Sequence, residues 1–365
     1  MFAKRPQLAS GPAVSSETDR SRARDLLAGG RAVDLGPLAN PVLGAAGAGF
    51  LLLLTAIGTI AVVGDPAAGA PRVHISLASA AVDALPAAPQ PTSIALNTAT
   101  ISLGADGGAL PAAPIAGLFA PGPGGPLPVI APDGRTPADA YARPFHDTGA
   151  PKVALVIGGL GLNAKATRDA IEQLPPEVTL SFVPYADGLQ GWIDLARSHG
   201  HEVLLEAPME PVDYPQNDPG PYTLMAKDPP PETTKRLQWL LSRASGYFGV
   251  TNYLGGRFLA SDPAMSVFTA ALRSRGLAFI DDGSAAGRAT GVPRASADRV
   301  IDENLDGGSI EQELAQLEDS ARQRGKSLGS GFAYPVTLQE VQRWAAGLGG
   351  RGLALAPASS VAARQ

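Results

Sequence analysis

From Lys152 onward the chain alternates between two textures. Val153-Ala-Leu-Val-Ile157, Val178-Thr-Leu-Ser-Phe-Val183, Glu202-Val-Leu-Leu205, Phe248-Gly-Val-Thr251 and Leu277-Ala-Phe-Ile280 are short, mostly apolar runs. Runs too short for a helix and apolar on both faces suit strands buried in a parallel sheet. Helical spacing fills the intervals, over Ala164–Gln173, Leu189–His199, Glu232–Ala244 and Asp262–Arg275. Asp262-Pro263 reads as an N-cap followed by a first-turn proline. Ser309-Ile-Glu-Gln312 and Thr337-Leu-Gln-Glu340 have capping-box spacing before helices to Arg324 and about Leu348. Val300-Ile301 is a weak strand, and Leu353-Ala-Leu355 closes the series. Strands alternating with helices predict an α/β fold with a mostly parallel sheet. About seven or eight such units over roughly 205 residues suit a (β/α) barrel.

The chain before Lys152 has a different character. Residues 1–40 form a polar tail carrying Lys4, Arg5, Arg20, Arg22, Arg24 and Arg31. Residues 41–64 carry no charge, and the run Val42–Val63 would span ~33 Å as a helix, enough to cross a ~30 Å hydrocarbon core. With the basic residues on its N-terminal flank, the positive-inside rule predicts a single-pass anchor with a cytoplasmic N-terminus. Residues 65–150 are rich in Ala, Pro and Gly and read as a disordered spacer, in which His74 and His146 are solvated. The folded domain is expected over 151–357, with 358–365 as a tail.

Composition closes several routes. The 365 residues contain no Cys, which excludes thiolate nucleophiles, disulfides and Cys-ligated metals. His74, His146, His199 and His201 are the only histidines, so a site built on several imidazoles is nearly excluded. A net charge of −5 gives no electrostatic reason to expect nucleic-acid binding. Gly158-Gly159-Leu160-Gly161 lacks the Lys-Ser/Thr of a phosphate loop. Ser181 and Ser261 have no histidine placed to activate them, and Trp192, Trp239 and Trp344 are expected to pack helices on the barrel.

In a parallel α/β fold ligands gather at the carboxyl ends of the strands. The segments there are Val156-Ile-Gly-Gly-Leu-Gly-Leu162, His201-Glu-Val-Leu-Leu-Glu-Ala-Pro-Met-Glu-Pro211, Gly249-Val-Thr-Asn-Tyr-Leu-Gly-Gly-Arg-Phe258 and Gly276-Leu-Ala-Phe-Ile-Asp-Asp282. In order and spacing they resemble the divergent polysaccharide deacetylase family, related to the NodB-homology carbohydrate esterases. The resemblance covers about Pro151 to Pro357. It implies a distorted (β/α) barrel of the polysaccharide deacetylase type, a role in envelope carbohydrate metabolism, and deacetylation of an N-acetylated sugar. It also implies a divalent metal such as zinc, held by an Asp and two His, with another carboxylate as base.

This chain departs from that pattern where the chemistry should sit. Gly158 and Gly159 stand where family members carry Asp-Asp, and Glu206 where they often carry His. Thr251-Asn252-Tyr253 replaces Asn-Asn-His, and Phe332-Ala333-Tyr334 corresponds to a His-Pro-His type segment. Gly has no donor atom, and Tyr and Phe are poor ligands beside imidazole. His199 and His201 lie at the opposite end of the strand and read as helix-end or surface residues. No metal ligand set and no cofactor is therefore expected.

The catalytic candidates are Asp281 and Asp282. Glu206, Asn252, Tyr253, Arg257 and Tyr334 are the substrate-binding candidates, as aromatic faces and polar groups that suit a sugar. An inert mouth in which Asp281 pairs with Arg257 is the structural alternative, and the long polar loop Asp213–Tyr222 shapes or caps the cleft. Two functional expectations stand together. One is a membrane-anchored enzyme of the family with its site rebuilt on Asp281, Asp282 and Glu206. The other is a pseudoenzyme that binds peptidoglycan fragments or a periplasmic partner protein, held in the inner membrane with its C-terminal domain in the periplasm.

Overall fold

The computed structural model describes residues 108–285 and 287–363. The expected tail, membrane span, His74 and the first part of the spacer lie outside them. Among the described residues no helix is long and apolar enough to cross a membrane.

The second part of the spacer is folded, contrary to expectation. It holds a hairpin of β1 (Phe119–Gly122) and β2 (Gly125–Pro128) and a short helix, α1 (Pro137–Ala140), capped by Thr136. Its Pro/Gly texture concealed a few anchoring side chains: Leu118 and Tyr141 are almost wholly buried.

The alternating series then runs β3 (Lys152–Leu160), α2 (Ala164–Gln173), β4 (Thr179–Phe182), α3 (Leu189–Ser198), β5 (Val203–Met209), α4 (Pro230–Leu241) and β6 (Gly249–Leu254). It continues with α5 (Gly256–Leu259), α6 (Asp262–Ser274), β7 (Ala278–Asp281), β8 (Arg294–Ser296), β9 (Arg299–Val300) and α7 (Gly307–Arg324). The chain finishes with β10 (Lys326–Phe332), α8 (Pro335–Leu348), β11 (Ala354–Ala356) and α9 (Ala358–Val361). Three helix starts differ from the sequence reading. Ser261 rather than Asp262 caps α6, and Asp306 caps α7 by accepting from the N–H groups of Gly308 and Ser309. Thr337 does not cap α8; its hydroxyl donates to Asp302 Oδ2 at 2.9 Å.

Every ladder among β3–β11 is parallel, in the order β8-β7-β6-β5-β4-β3-β10-β9, with β11 beside β3. β8 and β9 are separated by Ala297 and Asp298 alone. The Ala297 N–H donates to Asp281 O on β7, and the Asp298 N–H donates to Leu328 O on β10. One short segment thus bridges the two ends of a curled sheet.

Strand alternation divides the core. Val153, Leu155 and Ile157 of β3 pack outward with Ile171 of α2, whereas Ala154 and Val156 face inward with Leu204, Phe248, Ile280 and Leu328. Each fully buried side chain of this size contributes about 1.5–3 kcal/mol. Trp192, Trp239 and Trp344 are partly buried against the outer layer, as expected.

The strand N-terminal end is closed by the spacer segment. Arg197 at the end of α3 donates to the carbonyls of Pro111, Tyr141 and Gly246, at 2.9–3.2 Å, and lies over the Tyr141 ring. Glu202 accepts from the Arg143 N–H, the Thr179 hydroxyl and both the N–H and hydroxyl of Ser359. Residues 358–361 are therefore part of the domain rather than a loose tail. His201 is not a surface residue: it is fully buried, with Nδ1 2.8 Å from Val178 O and Nε2 3.0 Å from Ile171 O. His199 and His146 are exposed.

Candidate functional site

At the opposite end, a small inner chamber opens into a larger outer groove. The chamber has a volume of about 130 Å³ and is bounded by Ser181, Glu206, Asn252, Asp282, Ser330 and Phe332 among others. The groove, about 420 Å³, adds Tyr185, Asp218 and Tyr334. Glu206, Tyr253, Leu254 and Phe332 line both, so Glu206 sits at their junction.

Glu206 is held by Gly159 of β3 and Ser181 of β4. The β3–β4 register shifts between Ile157 and Leu160, and Gly159 adopts φ +73°, a left-handed conformation that glycine alone adopts freely. This turns the Gly159 N–H onto Glu206 Oε1 at 2.7 Å, where the Ser181 hydroxyl also donates at 2.9 Å. Glu206 is 3% exposed, and its Oε2 has no hydrogen-bond partner among the described residues. Burial pushes this carboxyl up to about 7, and the two donors only partly oppose it. Ser330 Oγ, on the chamber wall, is buried without a partner.

Aromatic rings form the rim. Tyr253 and Phe332 meet edge to face at 6.4 Å, and Tyr334 is tilted on Phe332 at 6.3 Å. Phe332 and Tyr334 remain 37% and 44% exposed, a large share for rings standing over a cleft. Burial and the nearby Glu206 carboxyl push the Tyr253 phenol up. The Asp213–Tyr222 loop is fastened by Tyr222, stacked on Trp239 at 3.6 Å, and by the Tyr222 N–H donating to the Tyr185 hydroxyl. That places Asp218 and Pro219 on the groove wall.

Glu206, Asn252, Tyr253, Asp282 and Tyr334 therefore come together. Asn252 is spent on structure within the wall, accepting from the Asp282 N–H and donating to Leu254 O. Asp281 and Arg257 stand apart from both cavities. Asp281 accepts from the N–H groups of Gly283 and Ala285 and from the Ser296 hydroxyl, which makes it the clasp of a turn. Arg257 pairs with Glu210 at 2.9 Å and also bonds Val212 O, so the Asp281–Arg257 pair does not form. Ser181, Ser330 and Tyr185 also line these cavities and are not among the sequence candidates, and Phe332 stands in the strand-end segment set against His-Pro-His but not among the binding candidates. Ser330 lies in the Gly-rich β10, where only the period-2 alternation could place it on the same face as Phe332.

The residues present do not fit the metal that the family implies. Among the described residues no three His, Asp or Glu side chains converge, and Asp281 has already committed both oxygens. A β-carbon on Gly158 would stand 2.9 Å from Glu206 Oε1, so Glu206 fills the space an acidic side chain at 158 would need.

The divergent polysaccharide deacetylase family model matches residues 155–362, more than half of the chain, and the chain belongs to that family. A crystal structure of an uncharacterized protein from Agrobacterium tumefaciens C58 is 40% identical with a TM-score of 0.63, over 65% of this chain and 99% of that one. An uncharacterized protein of Haemophilus influenzae is 23% identical over 52% of this chain and 70% of its own length. The uncharacterized protein YibQ of Escherichia coli is 22% identical over 53% of this chain and 61% of its own length.

Proposed function

We propose that this chain is a glycan-binding member of its family, a pseudoenzyme that holds a saccharide in the groove at the strand C-terminal ends without metal-dependent deacetylation. The observation that carries this reading is the exposed Phe332–Tyr334 pair with Tyr253, standing over the buried carboxyl of Glu206. Aromatic faces match the apolar faces of sugar rings, and a carboxyl with a free oxygen matches their hydroxyl and amine donors. The charge-free run 42–63 supports a single-pass inner-membrane anchor with the domain in the periplasm, where envelope glycans would be the ligands. An enzyme rebuilt on Asp281, Asp282 and Glu206 is the weaker reading, because Asp281 is turned into its own loop.

The test is calorimetric titration of the purified full-length chain with soluble peptidoglycan fragments and with β-1,4-linked hexosamine tetramers. Binding that weakens at least tenfold in Phe332→Ala is the expected result. Saturable binding that Phe332→Ala leaves unchanged, or no binding of any saccharide, would remove the glycan reading and turn the search to a periplasmic partner protein. Acetate release from an N-acetylated tetramer would restore the enzyme.

A further inference from the structure

The inner chamber has the chemistry of a cation site with no protein cation. Among the described residues no Lys, Arg or His lines the chamber or the groove, whereas Glu206, Asp282 and Asp218 do. Arg257, the cation expected at this mouth, is instead held by Glu210 and by the Val212 carbonyl. Glu206 lines this space with Oε2 unbonded and open to it, and Ser330 Oγ on the chamber wall is buried without a partner. A buried polar atom without a partner is rare, and one beside an unbonded carboxylate oxygen in a small cavity calls for a ligand that supplies donors.

We infer that the chamber binds a protonated primary amine, and that the saccharide read by this site is a de-N-acetylated amino sugar. The identity of the carrier rests on the glycan reading above; the amine itself rests on the chamber.

An ammonium group carries three N–H donors and a positive charge. The chamber lining offers Glu206 Oε2, Ser330 Oγ and Asp282, whose Oδ1 already accepts from the Ser284 N–H, with carboxylates to offset the cost of taking the charge out of water. The Tyr253 and Phe332 rings on its wall add faces that attract a cation. An acetamide brings no charge for these carboxylates to pair, and among the described lining residues no Lys, Arg or His offers its carbonyl oxygen a charged donor. The volume of about 130 Å³ also limits the occupant to a small head group, with the sugar ring left in the groove.

The experiment titrates the full-length chain at about 0.15 M salt, which screens the general attraction of cationic sugars to an acidic protein. The probes are β-1,4-linked tetramers of glucosamine, N-acetylglucosamine and glucose, together with ethylammonium. Glu206→Gln keeps an acceptor for Gly159 and Ser181 but removes the charge, and Asp282→Asn at the chamber edge serves as a second variant. The expected result is at least tenfold tighter binding of the glucosamine tetramer than of the other two, with the preference lost in Glu206→Gln and reduced in Asp282→Asn. Equal binding of all three tetramers, or tighter binding of the N-acetylated one, overturns the amine inference and leaves the glycan reading intact. Ethylammonium binding that depends on Glu206, with no tetramer bound, supports the amine chamber and overturns the glycan reading. Silence from all four probes overturns both.

Discussion

Gly158 and Glu206 are a matched pair: a β-carbon on the glycine would lie 2.9 Å from Glu206 Oε1 and 2.7 Å from the Ser181 hydroxyl that bonds it. The strand end can carry a side chain at 158 or a glutamate at 206, but not both without rearrangement. Restoring an acidic residue at 158 alone should therefore damage the domain rather than rebuild a metal site. Gly158→Asp is expected to cost about 1–3 kcal/mol by overpacking. In combination with Glu206→Ala the cost should be smaller than the sum of the two single changes. Thermal unfolding of the three variants measures this coupling, and additive losses would show that the two positions do not compete for space.

Burial gives Glu206 an unusual pH dependence. Its ordinary value is 4.5 and the fold raises it to about 7, so between these limits the folded protein holds a proton that the unfolded chain has released. Its contribution to stability is therefore greatest below pH 4.5 and falls as the pH rises through 7, the reverse of a salt-bridged carboxylate. The full difference corresponds to roughly 3 kcal/mol. Urea unfolding of the protein and of Glu206→Gln at pH 5 and pH 8 should show the variant gaining relative stability at the higher pH. An unchanged gap between the two proteins would mean that Glu206 titrates normally.

Asp281 should matter to folding and not to ligand binding. Asp281→Ala leaves the N–H groups of Gly283 and Ala285 and the Ser296 hydroxyl without their acceptor. A loss of about 2–4 kcal/mol is expected from such buried, orphaned donors. Calorimetry on the folded fraction should return saccharide affinity within about twofold of the starting protein. A large loss of affinity with an undisturbed melting curve would reassign Asp281 to the site.

Arg197 should decide whether residues 108–147 stay on the domain. It bonds three backbone carbonyls, two of them, at Pro111 and Tyr141, within that segment. Replacing it by Met leaves these groups without their donor, and a cost of about 3–5 kcal/mol is expected. Hydrogen exchange should quicken over 108–147 in Arg197→Met before it does in β3 and β5. Uniform protection across both regions would mean that the hairpin holds without its clamp.

The repeating strand–helix series was legible because burial on both faces leaves a run such as Val153–Ile157 no other comfortable place. Its strand ends led to Glu206, Asn252, Tyr253, Asp282 and Tyr334, which the fold brings to the same cavities, since parallel topology fixes which end of each strand meets the others. What was not legible depends on single side chains acting at long range. Nothing local in Pro111 or Tyr141 reveals that Arg197 will bind their carbonyls, so residues 108–150 looked like spacer. Asp281 and Glu206 are both carboxylates at strand ends. Only the Gly283 turn and the Gly159 bulge, set by distant packing, make one a clasp and the other the floor of a groove. His201 looked exposed because it follows a helix-ending glycine, yet its ring fills a gap between the carbonyls of Ile171 and Val178.

The Arg197 clamp also has a mechanical meaning. The described chain enters at residue 108, and the Leu110 N–H is already bonded to the carbonyl of Arg197 at 2.8 Å. That entry lies at the strand N-terminal end, across the thickness of the domain from Glu206 and Phe332. A pull applied at residue 108 would therefore load the Leu110–Arg197 bond and the end of α3 before it reached the strand ends that carry Glu206 and Phe332.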